Sequence, residues 1–277
     1  MLRAVRTGPV EPRKDVAVTP ASHIVVELGL SVAIDGPLAV GRAAVVPEIC
    51  VPGSVVPRTS VLATWADVIT GTLCISAIAP RIPLTLDLEV QVFEPPVEGD
   101  TVTIEASMVK LGRTVMVTEA RFHVEGSAAP AALALVSFIA SPDPSHVFPP
   151  DFRPPLRQEA GRLSMPFAER AGSVVENPGT AEVPRKLDGL NASGGIQGGL
   201  VALAAEEAAA SLSDTPVFLE SLTLRYLRPF AVGPARATAE RHGDTCLVRL
   251  TDAGVGRLSA LATARLAAAP RLRPARP

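Results

Sequence analysis

Residues 198–212 read GGLVALAAEEAAASL. Between Leu200 and Ala210 only Glu206 and Glu207 are polar, so a helix wound here is apolar on almost every side. Such a helix must be covered nearly all round, and a sheet curling about it is the natural cover. The glycine pair ahead of the apolar run marks the first turn. Strand candidates follow at 218–227, 235–241, 246–251 and 258–266, with no second long helix among them. One long helix followed by consecutive strands is an α+β pattern.

The same order occurs upstream. TSVLATWADVITGTLCISAI, residues 59–78, reads as a helix, and strand candidates follow at 84–93, 101–110, 114–124 and 131–139. In LTLDLEVQVF, Leu84, Leu86, Leu88, Val90 and Val92 alternate with Thr85, Asp87, Glu89 and Gln91, which predicts one apolar and one polar face. Strand-like segments between residues 23 and 49, broken at Asp35-Gly36-Pro37, lead into the first helix; residues 165–173 and 180–184 lead into the second. Landmarks recur at a falling offset: Asp67 to Glu206 is 139, Pro95 to Pro229 is 134 and Gly112 to Gly243 is 131. Each step falls in a loop, where length changes are tolerated. The 277 residues therefore predict two similar domains, 21–140 and 164–268. Residues 141–163, with six prolines, form an extended linker between them, and PRLRPARP forms a C-terminal tail.

Asn191, Gln197-Gly198-Gly199 and Glu206 are spaced by six and nine residues. This resembles the phenylacetate-pathway (PaaI-type) branch of hotdog thioesterases: an Asn, a His-Gly-Gly six residues on, and an Asp or Glu nine residues after the His. The run from Phe167 to Gly172 and Asn177-Pro178-Gly179 are also similar to that family, and the likeness spans most of residues 165–268. It implies an α+β double hotdog, two long helices each wrapped by a curved antiparallel sheet, acting on acyl-CoA without a cofactor. The departure is Gln197 in place of His: an amide donates and accepts hydrogen bonds but cannot serve as a proton shuttle near neutral pH. The first copy has Arg58-Thr59-Ser60 and Asp67 at the matching spacing, with Pro52 in place of the Asn. Thr85 stands 18 residues beyond Asp67, where some relatives place a hydroxyl that orients water; Leu219 is its counterpart.

Elementary chemistry points the same way. Glycines at a helix start leave backbone N–H groups and the positive end of the dipole facing whatever docks there, and an attacked thioester carbonyl develops negative charge. Nine residues of helix span roughly 13.5 Å, so a carboxylate cannot serve the start of its own helix. It serves the start of an antiparallel neighbour, which predicts two sheets joined edge to edge with both helices on one face. One site then combines Asp67 and Thr85 with Asn191, Gln197 and Gly198, with Gly199 beside them for substrate. The other combines Glu206 with Arg58 and Thr59, lacks the glycines, and is expected to be degenerate. Asp67 is the expected general base or nucleophile. The rival is a hotdog that binds acyl-CoA or an acyl carrier without catalysis.

Other classes are disfavoured. A net charge of −2 without basic blocks does not suit nucleic acid. Cys50, Cys74 and Cys246 form no CxxC pair, and His23, His123, His146 and His242 show no metal spacing. Gly254-Val255-Gly256 reads as a turn, and no GxSxG elbow is present. Residues 1–20 lack the apolar core of a signal peptide, and no apolar run is read as a membrane span, so the cytoplasm is expected. A homodimer of double-hotdog chains is a further expectation.

Overall fold

The structure, a computed structural model, describes residues 23–152 and 163–270. The first half contains α1 (Ile24–Glu27), β1 (Ser31–Asp35), β2 (Leu38–Ala44), α2 (Thr59–Ile78), β3 (Pro83–Val92), β4 (Thr101–Leu111), β5 (Val115–Val124) and β6 (Pro130–Ala140). The second contains α3 (Phe167–Ala171), β7 (Val174–Asn177), β8 (Thr180–Val183), α4 (Gly198–Ala210), β9 (Val217–Tyr226), β10 (Ala235–His242), β11 (Thr245–Asp252) and β12 (Arg257–Ala268). All the strands join one antiparallel sheet in the order β1-β2-β4-β5-β6-β3-β9-β12-β11-β10-β8-β7. Read inward from either edge, the two halves have the same strand succession. They meet at β3 and β9, where Leu88 pairs with Leu224 and Val90 with Leu222.

The fold is therefore a double hotdog. Each long helix lies on the inner face of its own half of the sheet, and the two helices also touch. Their contacts run in opposite senses: Thr59 meets Glu206, Thr64 meets Gly199, and Asp67 meets Gln197. Ascending α2 thus descends α4, as antiparallel packing requires. The chain also enters both helices alike. Cys50 bridges Pro57 as Leu190 bridges Ile196, and Arg58 N donates to Ile49 O at 2.9 Å as Gln197 N donates to Gly189 O at 3.0 Å.

Helix α2 is buried along most of its length, including Trp65, Ile69 and Leu73. Its hydroxyls bond backward along the helix, Thr64 to the Ser60 carbonyl, Thr70 to Ala66 and Thr72 to Val68, so few polar atoms reach the apolar surroundings unpaired. The expectation that no apolar run is long enough for a membrane span needs correction. Helix α2 has 20 residues and a mean hydropathy of 1.6, sufficient by length and composition. In this fold it is the core helix of the first half.

Three further expectations change. Residues 165–173, expected only as a lead-in, contain the short helix α3, closed by Gly172 at φ 75°. Strand β3 does not alternate strictly: a bulge leaves Leu86 unpaired between Thr85, opposite Phe138, and Asp87, opposite Ser137. The extra residue turns Thr85 toward the helices. Part of the expected linker is tied down, since Phe148 N donates to Pro80 O, Val147 bridges Arg81, and Phe148 stacks on Phe152 at 4.0 Å. Residues 153–162 of that linker and the tail after Pro270 lie outside the described residues.

Candidate active site

Asp67 projects from α2, half-buried, toward the start of α4. Thr85 Oγ1 donates to its Oδ1 at 2.7 Å, and Gln197 Nε2 donates to its Oδ2 at 2.8 Å. Each oxygen therefore keeps capacity to accept from water. Burial pushes the carboxyl up to about 6, against the lowering pull of the Thr85 hydrogen bond. Gln197 is the N-cap of α4: its Oε1 accepts from Gly199 N at 2.6 Å, which leaves its amide hydrogens for Asp67. The Gly198 N–H has no hydrogen-bond partner among the described residues. The carboxylate and the Thr85 hydroxyl thus come from the first half, and the amide donor and the open helix terminus from the second.

Both glycines also answer to packing. A side chain at Gly198 would lie 3.1 Å from the Tyr226 hydroxyl and 3.3 Å from Asp67 Oδ2. Its absence makes room for these two groups rather than for substrate alone. A side chain at Gly199 would overlap Thr64 of α2, and its N–H is already bonded to Gln197. Gly199, expected to bind substrate, instead lets the two helices approach. Asn191 is likewise not brought to Asp67 by any hydrogen bond. Its Oδ1 accepts from Ser193 N, Ser193 Oγ and Gly195 N, at 3.0, 2.8 and 3.1 Å, and shapes the turn leading to Gln197.

Tyr226, absent from the sequence reading, completes the site. It ends β9, and its hydroxyl donates to Gly198 O at 2.9 Å. Burial and the Asp67 charge push its phenol well above the ordinary value, so it acts as a neutral donor. A repeat alignment offered one signal: the counterpart at the Pro95-to-Pro229 offset of 134 is Val92, so a polar ring replaces an apolar residue in one copy only.

The opposite site is closed. Glu206 Oε1 accepts from Thr59 N at 2.8 Å, and Oε2 accepts from Ser60 N at 3.3 Å and from the Ser60 hydroxyl. Burial pushes this carboxyl up, opposed by the Arg58 charge. The Thr59 hydroxyl donates to Leu219 O at 2.6 Å. Leu219 occupies the place of Thr85, beside the matching bulge at Glu220, and is fully buried. Arg58 pairs with both acids, closely with Glu207 at 2.5 Å and more loosely with Glu206 at 3.9 Å, because Glu206 is already committed to the start of α2. A cleft of about 350 Å³ remains beside Arg58, Glu206 and Glu207, but the Thr59 and Ser60 amides are taken by Glu206.

Elsewhere, burial pushes the Cys50 and Cys74 thiols up to about 11 and about 12, which removes them as nucleophiles. His23 and His146 serve local structure, bonding the Leu190 carbonyl and the Ser141 hydroxyl. A concavity of about 640 Å³ lies on the outer face of the second half, between Arg225, Thr238, Arg249 and Thr263. It faces away from the helices and takes no part in the site.

Residues 59–131 match the sequence profile of the thioesterase superfamily. That segment runs from α2 into β6 and includes Asp67 and Thr85. A search of curated proteins gives no match. Among solved structures, the chain is similar to the 12:0-ACP thioesterase from Umbellularia californica, with a TM-score of 0.61 at 12% identity over 85% of this chain and 99% of that one. It is also similar to an acyl-ACP thioesterase from Bacteroides thetaiotaomicron, with a TM-score of 0.56 at 10% identity over 83% of this chain and 98% of that one. At these identities the likeness concerns the fold. The chain is a double hotdog whose residues 59–131 carry the sequence signature of the thioesterase superfamily.

Proposed function

We propose that this protein hydrolyses acyl thioesters at the site formed by Asp67, Thr85, Gln197 and Gly198, with acyl-CoA as the substrate class. The observation that carries this reading is the Asp67 carboxylate, held by Thr85 and Gln197 beside the start of α4. Its carboxyl, raised to about 6, is mostly ionised at neutral pH while remaining basic enough to take a proton. A water bonded to Asp67 attacks the thioester carbonyl and gives its proton to the carboxylate. The oxygen that becomes negative accepts from Gly198 N–H, aided by the α4 dipole. The tetrahedral intermediate then collapses, the C–S bond breaks, and the proton held by Asp67 passes to the departing thiolate. Water is split between acid and thiol, and Asp67 is regenerated.

The test is a panel of acyl-CoA thioesters scored for free thiol, alongside acyl-carrier-protein thioesters, since two similar structures are acyl-ACP thioesterases. Thiol release that Asp67→Asn abolishes supports hydrolysis, and the preferred carrier identifies the substrate class. Saturable binding of every thioester without thiol release would instead establish a binding module.

A further inference from the structure

Tyr226 is the only tyrosine in the chain. Its hydroxyl donates to the carbonyl of Gly198 at 2.9 Å. Across the same peptide group, Gly199 N–H donates to Gln197 Oε1 at 2.6 Å. Across the Gln197 amide, Nε2 donates to Asp67 Oδ2 at 2.8 Å. One line of hydrogen bonds thus runs from the phenol through two amide groups to the carboxylate. A hydrogen bond accepted by an amide carbonyl makes the N–H of that amide a better donor, so such lines strengthen along their length. The line also has a direction. With Gly199 N–H held in place, Gln197 must turn its oxygen toward the helix and its nitrogen toward Asp67.

We propose that Tyr226 is a positioning residue for Asp67, acting through the Gly198–Gly199 peptide and the Gln197 amide to aim and strengthen the donation that the carboxylate receives. The inference rests on Asp67 as the general base of the proposed hydrolysis. The opposite half supports it by contrast. Strand β3 ends at Val92 where β9 ends at Tyr226, and Arg58 stands where Gln197 does, so the closed site has neither hydroxyl nor amide relay. Tyr226 does not reach the carbonyl donor directly, because its bond is to the Gly198 oxygen and not to the Gly198 N–H.

The groups around Asp67 allow a clean measurement. Its titratable neighbours are Tyr226 on β9 and Cys74 on α2, both pushed upward and neutral in the acid range. Strand β3 and helix α4 face it with Thr85 and Gln197, which carry no charge. An acidic limb in the pH profile therefore reports Asp67.

Tyr226→Phe keeps the ring and removes the hydroxyl. It is expected to lower kcat roughly five- to tenfold with little change in KM, the scale of one hydrogen bond. The acidic limb of kcat should move to higher pH, because a carboxylate receiving weaker donation is protonated more readily. In a Gln197→Ala background, where the line is already cut, Tyr226→Phe should cost less than about twofold more; fully additive losses would overturn the proposal. Carbon-13 NMR titration of the Asp67 carboxyl, without substrate, gives a readout independent of turnover. Its midpoint should rise in folded Tyr226→Phe, and an unchanged midpoint would also overturn the proposal. If the wild-type chain releases no thiol from any thioester, the reading of its function fails, while the titration still decides the role of Tyr226.

Discussion

Replacing Asp67 with Asn keeps the size of the side chain and deletes its charge, so stability and turnover should respond in opposite directions. The carboxyl lies at about 6 in the folded chain against an ordinary value of 3.8. That difference, at about 1.36 kcal/mol per pH unit, corresponds to roughly 3 kcal/mol. The sign follows from linkage. A carboxyl raised by folding binds its proton more tightly in the native state, so its contribution to stability is fully present below pH 3.8 and is lost as pH rises through about 6. Wild type should therefore lose stability, relative to Asp67→Asn, across that window. Roughly 2 kcal/mol of the difference should develop between pH 4.5 and 7.5.

The comparison must be made as a slope against pH. An Asn at this position turns one NH₂ toward either the Thr85 hydroxyl or Gln197 Nε2, and the resulting mismatch adds a constant offset that does not titrate. Urea unfolding of both proteins at several pH values, monitored through the buried Trp65, supplies the slope. In parallel, wild-type kcat/KM should fall below pH 6 along a one-proton limb, and Asp67→Asn should retain less than about one hundredth of the turnover. A stability difference that stays flat from about pH 4.5 to 7.5 would refute the claim that Asp67 is held desolvated. An acidic limb near 4 would refute the link between that desolvation and the rate.

Glu206→Gln should leave turnover within about threefold of wild type yet lower stability by roughly 1–3 kcal/mol, because it disturbs buried bonds to Thr59 and Ser60; equal inactivity in Glu206→Gln and Asp67→Asn would sink the asymmetry. Gly199→Ala should destabilise the fold by about 1–3 kcal/mol through overlap with Thr64, with part recovered on adding Thr64→Ala, as read by denaturant midpoints. Asp67→Glu keeps the charge but extends it by one methylene toward the Gln197 cap; turnover should fall at least about tenfold with the fold intact. Wild-type turnover in that variant would show that carboxylate reach does not matter.

The repeat and its elements could be read from the sequence because they depend on local periodicity. An apolar helix with no polar face, preceded by Gly-Gly and followed by four strands, has few ways to bury itself, and the second copy confirmed the order. The pairing of Asp67 with Gln197 was legible for a geometric reason, since the length of a helix forbids the alternative. What escaped depends on single residues in three dimensions. Spacing assigned Thr85 to the Asp67 site while alternation placed it on the opposite face of its strand, and the bulge at Leu86 that resolves the two was not legible. Asn191 matched by spacing, yet its carbonyl is consumed by its own turn, a local bond that spacing does not reveal. Gly199 sits in a motif that suggests substrate, but its Cα faces Thr64 of the other half. Tyr226 belongs to the site only because β9 is the seam strand, a property of the assembled sheet.

The divergence of the two halves follows from how many hydrogen bonds each carboxylate can still accept. A carboxylate offers about four acceptor positions. Glu206 receives Thr59 N, Ser60 N and the Ser60 hydroxyl, has Arg58 at 3.9 Å, and is only 2% exposed. At most one position remains, and it is shut away from solvent. Asp67 is one methylene shorter and does not take the corresponding amides of α4; Gln197 takes the Gly199 N–H in its place. Asp67 thus receives two donors and keeps the remainder of its capacity on a half-buried surface. Both carboxyls are raised by burial, so desolvation alone does not separate a base from a cap. Side-chain length and the residue at the helix N-cap separate them. Gln suits that cap because one amide can accept from its own helix and donate to the neighbouring carboxylate at once, whereas Arg58, which only donates, leaves the α2 amides for Glu206 to take.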